Sequence, residues 1–227
     1  MNKICVLNFA TRSSAAYSKG QRRLVKSLKS NQFGGDIITW TSEHQFNSPQ
    51  HKSIPYAFKP YALDWARKEG YDAALWLDAS FYAVRPLEPV FKIIMQEGHL
   101  MQRDGNRLGS WTHDKCLEKY GITRDEAMQI PLYTAGCTGL DFSNERSLEY
   151  LKRWKEASAD GVSFVGDWKN RKGSCSQDKR CQGHRHDMSV GSILAHQLKM
   201  PLQHPWSIFT YGPRKQHPDV YMICKGM

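Results

Sequence analysis

The sequence predicts an α/β domain built on a mixed, mostly parallel sheet flanked by helices. Two observations predict it. Short continuous apolar runs, typical of strands buried on both faces, alternate with segments whose apolar residues recur at three-and-four spacing. One such run, Ala73 to Leu77, leads straight into Asp78, Ala79 and Ser80, which puts oxygen-bearing side chains at a strand's carboxyl end, where open α/β sheets place their ligands.

Lys3 to Ala10 reads as the first buried strand, and Tyr17, Gln21, Leu24, Val25 and Leu28 then mark one face of a helix. Asp36 to Trp40 follows Gly34 and Gly35 as a second strand. A loop rich in Ser, His, Pro and Gln runs to about Pro55, and a helix from Ala57 to Glu69 feeds the strand that ends at Asp78. Beyond Pro86, Leu87 to Gln96 predicts a helix and Leu100 to Arg103 a short strand, with a polar, weakly helical stretch up to Pro131. Thr134 to Phe142 returns to a strand pattern, its glycines suited to close backbone approach. Ser143 is placed to cap a helix whose stripe is Leu148, Leu151 and Trp154. Val165 to His186 is glycine-rich, basic and aperiodic, which marks a long functional loop or a mobile flap. Asp187 then stands as the N-cap of a helix that buries Val190, Ile193, Leu194 and Leu198 and stops before Pro201. The tail from His204 alternates aromatic and polar residues without a readable element.

A chain of 227 residues can bury one substantial core, and no linker divides it, so residues 1–227 are expected to form one domain. The longest apolar runs fall short of a membrane span, and Ile4 to Ala10 lacks the flanks of a signal peptide. Six scattered cysteines, with Cys5 and Cys137 inside apolar runs, fit reduced packing residues and a cytoplasmic location, with a Cys175–Cys181 disulfide as the alternative. The charge of +10, from 32 Lys and Arg against 22 Asp and Glu, favours anionic partners without choosing among them. Pairs such as Arg22 with Arg23 and Lys26 with Lys29 read as solvated helix faces.

Three segments together resemble the nucleotide-sugar glycosyltransferases of the GT-A fold, over nearly the whole chain: Tyr56 to Tyr61, Asp78 to Ser80 with Val84 to Phe91, and Ala135 to Asp141 with Gly183 to Asp187. The resemblance implies a Rossmann-like domain that moves a sugar from a nucleoside diphosphate donor, with uridine diphosphate expected, to a glycan or other hydroxyl acceptor. In that family an Asp-x-Asp motif holds Mn²⁺ or Mg²⁺ against the diphosphate. Here Ser80 replaces the second carboxylate, so Asp78 and Ser80 form a weakened metal pair, and Asp78 could instead bind the ribose. By the same resemblance, Asn8, Thr11 and Arg12 lie beside the nucleotide, Lys59 faces the phosphates with Asp78, Ala79 and Ser80, and Gly136, Gly139, Asp141 and Arg185 line the sugar or acceptor. Asp187, aided by His186, is the expected catalytic group, as a base on the acceptor or a hydrogen-bond partner of the sugar. His184, His204 or His217 could complete a metal or phosphate site.

Two other classes compete. Cys175, Cys181, His184 and His186 would suit a structural zinc site and, with the basic charge, a nucleic-acid-binding module, although the spacing fits no common finger. Ser80 also allows a catalytically inactive nucleotide-sugar-binding relative. A dinucleotide-cofactor enzyme is disfavoured because Ala10-Thr-Arg-Ser-Ser-Ala15 lacks the phosphate-approaching glycines.

Overall fold

The computed structural model describes residues 2–213 and 217–225. In chain order the elements are β1 (Ile4–Phe9), α1 (Ala15–Ser30), β2 (Asp36–Trp40), α2 (Phe58–Lys68), β3 (Ala73–Leu77), β4 (Phe81–Ala83), α3 (Glu88–Glu97), β5 (His99–Arg107), α4 (Asp114–Lys119), α5 (Arg124–Ala127), β6 (Pro131–Asp141), α6 (Glu145–Ser158), α7 (Asp187–Gln197), β7 (Phe209–Thr210) and β8 (Met222–Cys224). The main sheet has the order β2-β1-β3-β6-β5. β1 pairs in parallel with both β2 and β3, and β6 runs antiparallel to β3 and β5. Four strands therefore share one direction and β6 alone is reversed, which makes the sheet mixed and mostly parallel.

β3 is central and wholly buried, as its uninterrupted apolar sequence requires. On one face α2, α6 and α7 pack over Phe58, Leu63, Trp76, Tyr133 and Trp154; on the other α1 and α3 cover Leu24, Leu75, Ile94 and Leu100. α7 is buried nearly all round from Asp187 to Ala195, more than its expected apolar face. It lies close to the sheet because Gly191 has no side chain: a Cβ there would come within 2.5 Å of the Tyr133 hydroxyl and 2.7 Å of the Tyr150 hydroxyl. Those two buried hydroxyls bond each other at 2.7 Å.

Two local expectations are corrected. Asn144, not Ser143, caps α6, its side chain accepting from the Ser147 amide, while Ser143 donates to Asp141. Asp187 is the first residue of α7 rather than its cap; His186 holds the cap position with φ 42° and ψ −106° and no capping side-chain bond. The tail, unreadable in sequence, supplies β7 and β8 to a second sheet of order β4-β8-β7. Among the described residues no helix is long and apolar enough to cross a membrane.

The close approach of α7 gives a direct test. Gly191→Val overpacks a rigid, hydrogen-bonded tyrosine pair and is expected to lower the unfolding free energy by about 2 kcal/mol, measured by urea denaturation; an unchanged midpoint and slope would show that α7 does not depend on this contact.

Candidate active site

Asp78 follows β3 directly, and its amide donates to the Gly136 carbonyl of β6 (2.8 Å). Two side chains fix its carboxylate. The Trp76 indole donates to Oδ1 at 2.7 Å, and the Lys59 ammonium lies 3.2 Å from both oxygens. The side chain is about one-third exposed (34%) and lines a cavity of about 500 Å³ with Phe9, Thr11, Tyr17, Tyr56, Trp168 and Tyr211. His51, Phe58, Ala79, Ser80 and Cys224 complete the walls. The cavity thus lies at the carboxyl ends of β1 and β3, where the sheet geometry puts ligands. Tyr17, Trp168 and Tyr211, all about half exposed, form an aromatic rim.

Behind Asp78 lies a buried charge cluster. Lys59, in the first turn of α2, bridges Asp78 and Asp187 Oδ2, the latter at 2.7 Å, and donates to the Ala135 carbonyl at 3.1 Å. Asp187 Oδ2 makes this ion pair but no well-directed hydrogen bond. Burial pushes the Asp187 carboxyl up to about 6; Lys59 opposes that rise and the Asp78 charge adds to it. For Lys59 burial acts downward, but the charges of Asp187 and Asp78 outweigh it and hold the ammonium above its ordinary range. Gly136 makes room for this arrangement, since a Cβ there would come within 2.8 Å of Asp78 Oδ2.

The segment 165–186 is pinned rather than free. Asn170 takes amide hydrogens from Cys175 and Ser176 and donates to the carbonyls of Ser176 and Cys181. His113 and His186 bond the carbonyls of Val162 and Phe164, and His184 Nε2 bonds that of Ser163 at 2.9 Å. His113 Nδ1 already accepts from the Cys116 amide, so its Nε2 carries the proton. Three imidazoles in tilted and edge-on contact thereby tie one loop's backbone. The result is a fixed Trp168, held through its carbonyl by Arg185 (2.7 Å), whose guanidinium lies between the rings of Trp111 (3.6 Å) and Trp168 (3.8 Å). At Gly183 a Cβ would come within 2.2 Å of the Trp168 carbonyl oxygen, so this crossing needs glycine.

The structure brings Thr11, Asp78, Ala79 and Ser80 to the cavity wall, with Gly136 against Asp78. Other expected site residues lie elsewhere. Asn8 is buried and committed, donating to the Leu77 carbonyl (2.6 Å) and accepting from Gln21 (2.9 Å). Arg12 is exposed outside the cavity wall. Asp141 pairs with Ala73, at the start of β3, so five strand residues, roughly 16 Å, separate it from the Asp78 end; it accepts from the amide and hydroxyl of Ser143. Gly139 faces Ile94 in the core. Arg185 acts through Trp168. Lys59, Asp187 and His186 are buried behind the wall, His186 stacked on Tyr56 at 5.6 Å, and His217 stacks on Trp206. Tyr17, His51, Tyr56, Trp168 and Tyr211 were not selected from sequence. His51 accepts the Tyr56 amide on Nδ1 (3.0 Å), and burial lowers its pKa.

The donor set does not fit a divalent cation at Asp78 and Ser80. One carboxylate faces the cavity, already paired with the Lys59 ammonium, and the Ser80 hydroxyl accepts from the Cys224 thiol. Nor do Cys175, Cys181, His184 and His186 form a zinc cluster: their thiols and Nε2 or Nδ1 atoms bond separate backbone carbonyls. Among the described residues no three His, Cys, Asp or Glu side chains are grouped to hold a metal, and the six cysteines are unbridged.

Solved structures share this architecture. A glycosyltransferase involved in glycosylation of the major capsid of PBCV-1 matches with a TM-score of 0.53 and 11% identity over 98% of this chain and 92% of that one. The fold is of the GT-A glycosyltransferase type. WbbM, a bifunctional glycosyltransferase in its apo form, matches all of this chain with a TM-score of 0.56 and 10% identity, over 46% of its own length. No protein-family model and no curated protein sequence matches. Within the GT-A fold, Asp78 takes the strand-end position and the aromatic cavity opens beside it.

The buried imidazole cluster predicts acid sensitivity. Burial lowers His186 to about 4, and His113 and His184 shift in the same direction, so the stability from their neutral forms is present above pH 6.5 and lost as pH falls toward 4. At pH 5 His186 alone then costs about 2 kcal/mol, while Asp187, shifted upward, returns about 1. Unfolding free energy is expected to be lower at pH 5 than at pH 7; a flat profile would contradict the neutral imidazole cluster.

Proposed function

We propose that this chain is a glycosyltransferase, moving a sugar from a nucleoside diphosphate donor, with uridine diphosphate expected, to the hydroxyl of a glycan or similar acceptor. The observation that carries this reading is the aromatic-walled cavity at the carboxyl ends of β1 and β3 with Asp78 at its base; the fold shared with glycosyltransferases supports it. Flat apolar rings with few polar groups suit a nucleobase and a sugar. Thr11 and Tyr17, the latter in the first turn of α1, form one side.

In this reading the donor's anomeric carbon loses its bond to the diphosphate oxygen and gains one to the acceptor oxygen, whose proton passes to a base or to the departing phosphate. Asp78 accepts hydrogen bonds from donor hydroxyls, its orientation set by Trp76 and Lys59 before the donor arrives. Lys59 and Asp187 are positioning residues, since neither reaches the cavity. Trp168 and Tyr211 form the outer wall against the sugar or acceptor.

Thermal melting with UDP, GDP and ADP tests the donor site. Ligand at about a hundred times its dissociation constant adds roughly 2.7 kcal/mol, about 5 to 10 °C for a domain of this size. One nucleotide is expected to give that rise and the others less; no rise with any of them rejects the reading. Asp78→Asn is expected to lower sugar transfer about a hundredfold in protein that circular dichroism shows to be folded at the assay temperature, and full activity in that variant would displace Asp78 from the site.

A further inference from the structure

We infer that Lys59 is the resident counter-cation of this donor site, and that the site therefore works without a divalent metal ion. The inference rests on the donor-site reading above, and it starts from the coordination of one nitrogen. Lys59 Nζ lies among four oxygens from three elements: both of Asp78 at 3.2 Å, Asp187 Oδ2 at 2.7 Å and the Ala135 carbonyl at 3.1 Å. An ammonium has three N–H donors; it donates to Asp78 Oδ2 and to the Ala135 carbonyl, and Asp187 Oδ2 stands at ion-pair distance, 2.7 Å. Contrary to the sequence expectation, the buried Lys59 side chain lies outside the cavity wall and has no path to a phosphate there.

Charge accounting points the same way. Two carboxylates and one ammonium leave the cluster at −1, whereas a strand end carrying two aspartates without a lysine would offer −2 to a dication. The sequence makes two changes of the same sign there: a neutral Ser80 where a second carboxylate would stand, and a buried cation against the first. A metal bound to the Asp78 oxygens would lie beside a desolvated ammonium, where like charges repel strongly. Ser80 offers little compensation, because its hydroxyl is engaged by Cys224.

Removing the ammonium should open the cage it fills. In Lys59→Ala, two carboxylates and a carbonyl converge on an emptied space, an all-oxygen set of the kind that suits Mn²⁺ or Mg²⁺. The experiment counts bound Mn²⁺ by electron paramagnetic resonance of the free ion, without nucleotide, and measures UDP, GDP and ADP affinity in Mn²⁺ and in EDTA. Wild-type protein is expected to bind no stoichiometric Mn²⁺ and to hold its preferred nucleotide equally in both media. Lys59→Ala is expected to gain one Mn²⁺ per chain, at least about tenfold tighter than any wild-type binding, and Lys59→Ala with Asp78→Asn to lose it. One Mn²⁺ per wild-type chain that Asp78→Asn removes, or a tenfold loss of nucleotide affinity in EDTA, overturns the inference; so does a folded Lys59→Ala that gains no site. If Lys59→Ala does not fold, the wild-type titrations decide. If no nucleotide binds in either medium, the donor-site reading fails while the Mn²⁺ counts still decide the role of Lys59.

Discussion

The interaction on which the site depends is the buried ion pair network of Lys59 with Asp78 and Asp187. Three charges in so little solvent are tolerated only when each is paired, and removing one partner of a buried pair costs about 3 to 5 kcal/mol. That constraint ties together the first turn of α2, the end of β3, the start of α7 and the Ala135 carbonyl of β6. None of the four can shift alone without stranding a charge. The glycines follow from the same demand for close approach: Gly136 clears the space in front of Asp78, and Gly191 lets α7 settle onto β6.

Around this rigid base the walls come from segments with no regular structure. Trp168 is carried on a long loop, yet its place is set by Arg185 behind it, by the carbonyl contact at Gly183 and by three imidazoles bonded to residues 162–164. The strained backbone of His186, at φ 42°, lies where this loop meets α7. Such conformations persist only where the surroundings over-determine them, and here the ring is held by the Phe164 carbonyl and by stacking on Tyr56. The loop's order and the position of Asp187 are thus one problem, solved by adjacent residues.

Much of the fold was legible in the sequence. Asp36 to Trp40 and Ala73 to Leu77 read as strands with the bounds observed: the first, only partly buried at the sheet edge, is marked by its β-branched residues after Gly34 and Gly35, and the second is a buried strand with an uninterrupted apolar run. Asp78 was legible for the same reason: a carboxylate ending such a run has one place to go. Strand direction was not legible, since the alternation of β6 is the same read either way, and so Asp141 and Gly139 were expected at an edge from which β6 carries them away. β7 and β8, two and three residues long, are too short to show a period. The aromatic wall was the least legible part: Tyr56, Trp168 and Tyr211 lie in segments whose place is fixed by long-range contacts, and Tyr17 reads locally as part of the helical stripe. His184 and His186, whose spacing suggested metal ligands, instead donate to the carbonyls of Ser163 and Phe164.

The central claim is that one ammonium sets the electrostatics of both carboxylates. Its most direct test is a carbon-13 NMR titration of the Asp187 carboxyl in wild-type protein and in Lys59→Met. A wild-type midpoint near 6 is expected and a clearly higher one in Lys59→Met, because burial and the Asp78 charge would then act unopposed. A midpoint near the ordinary aspartate value in wild-type protein, unmoved by the substitution, would contradict it.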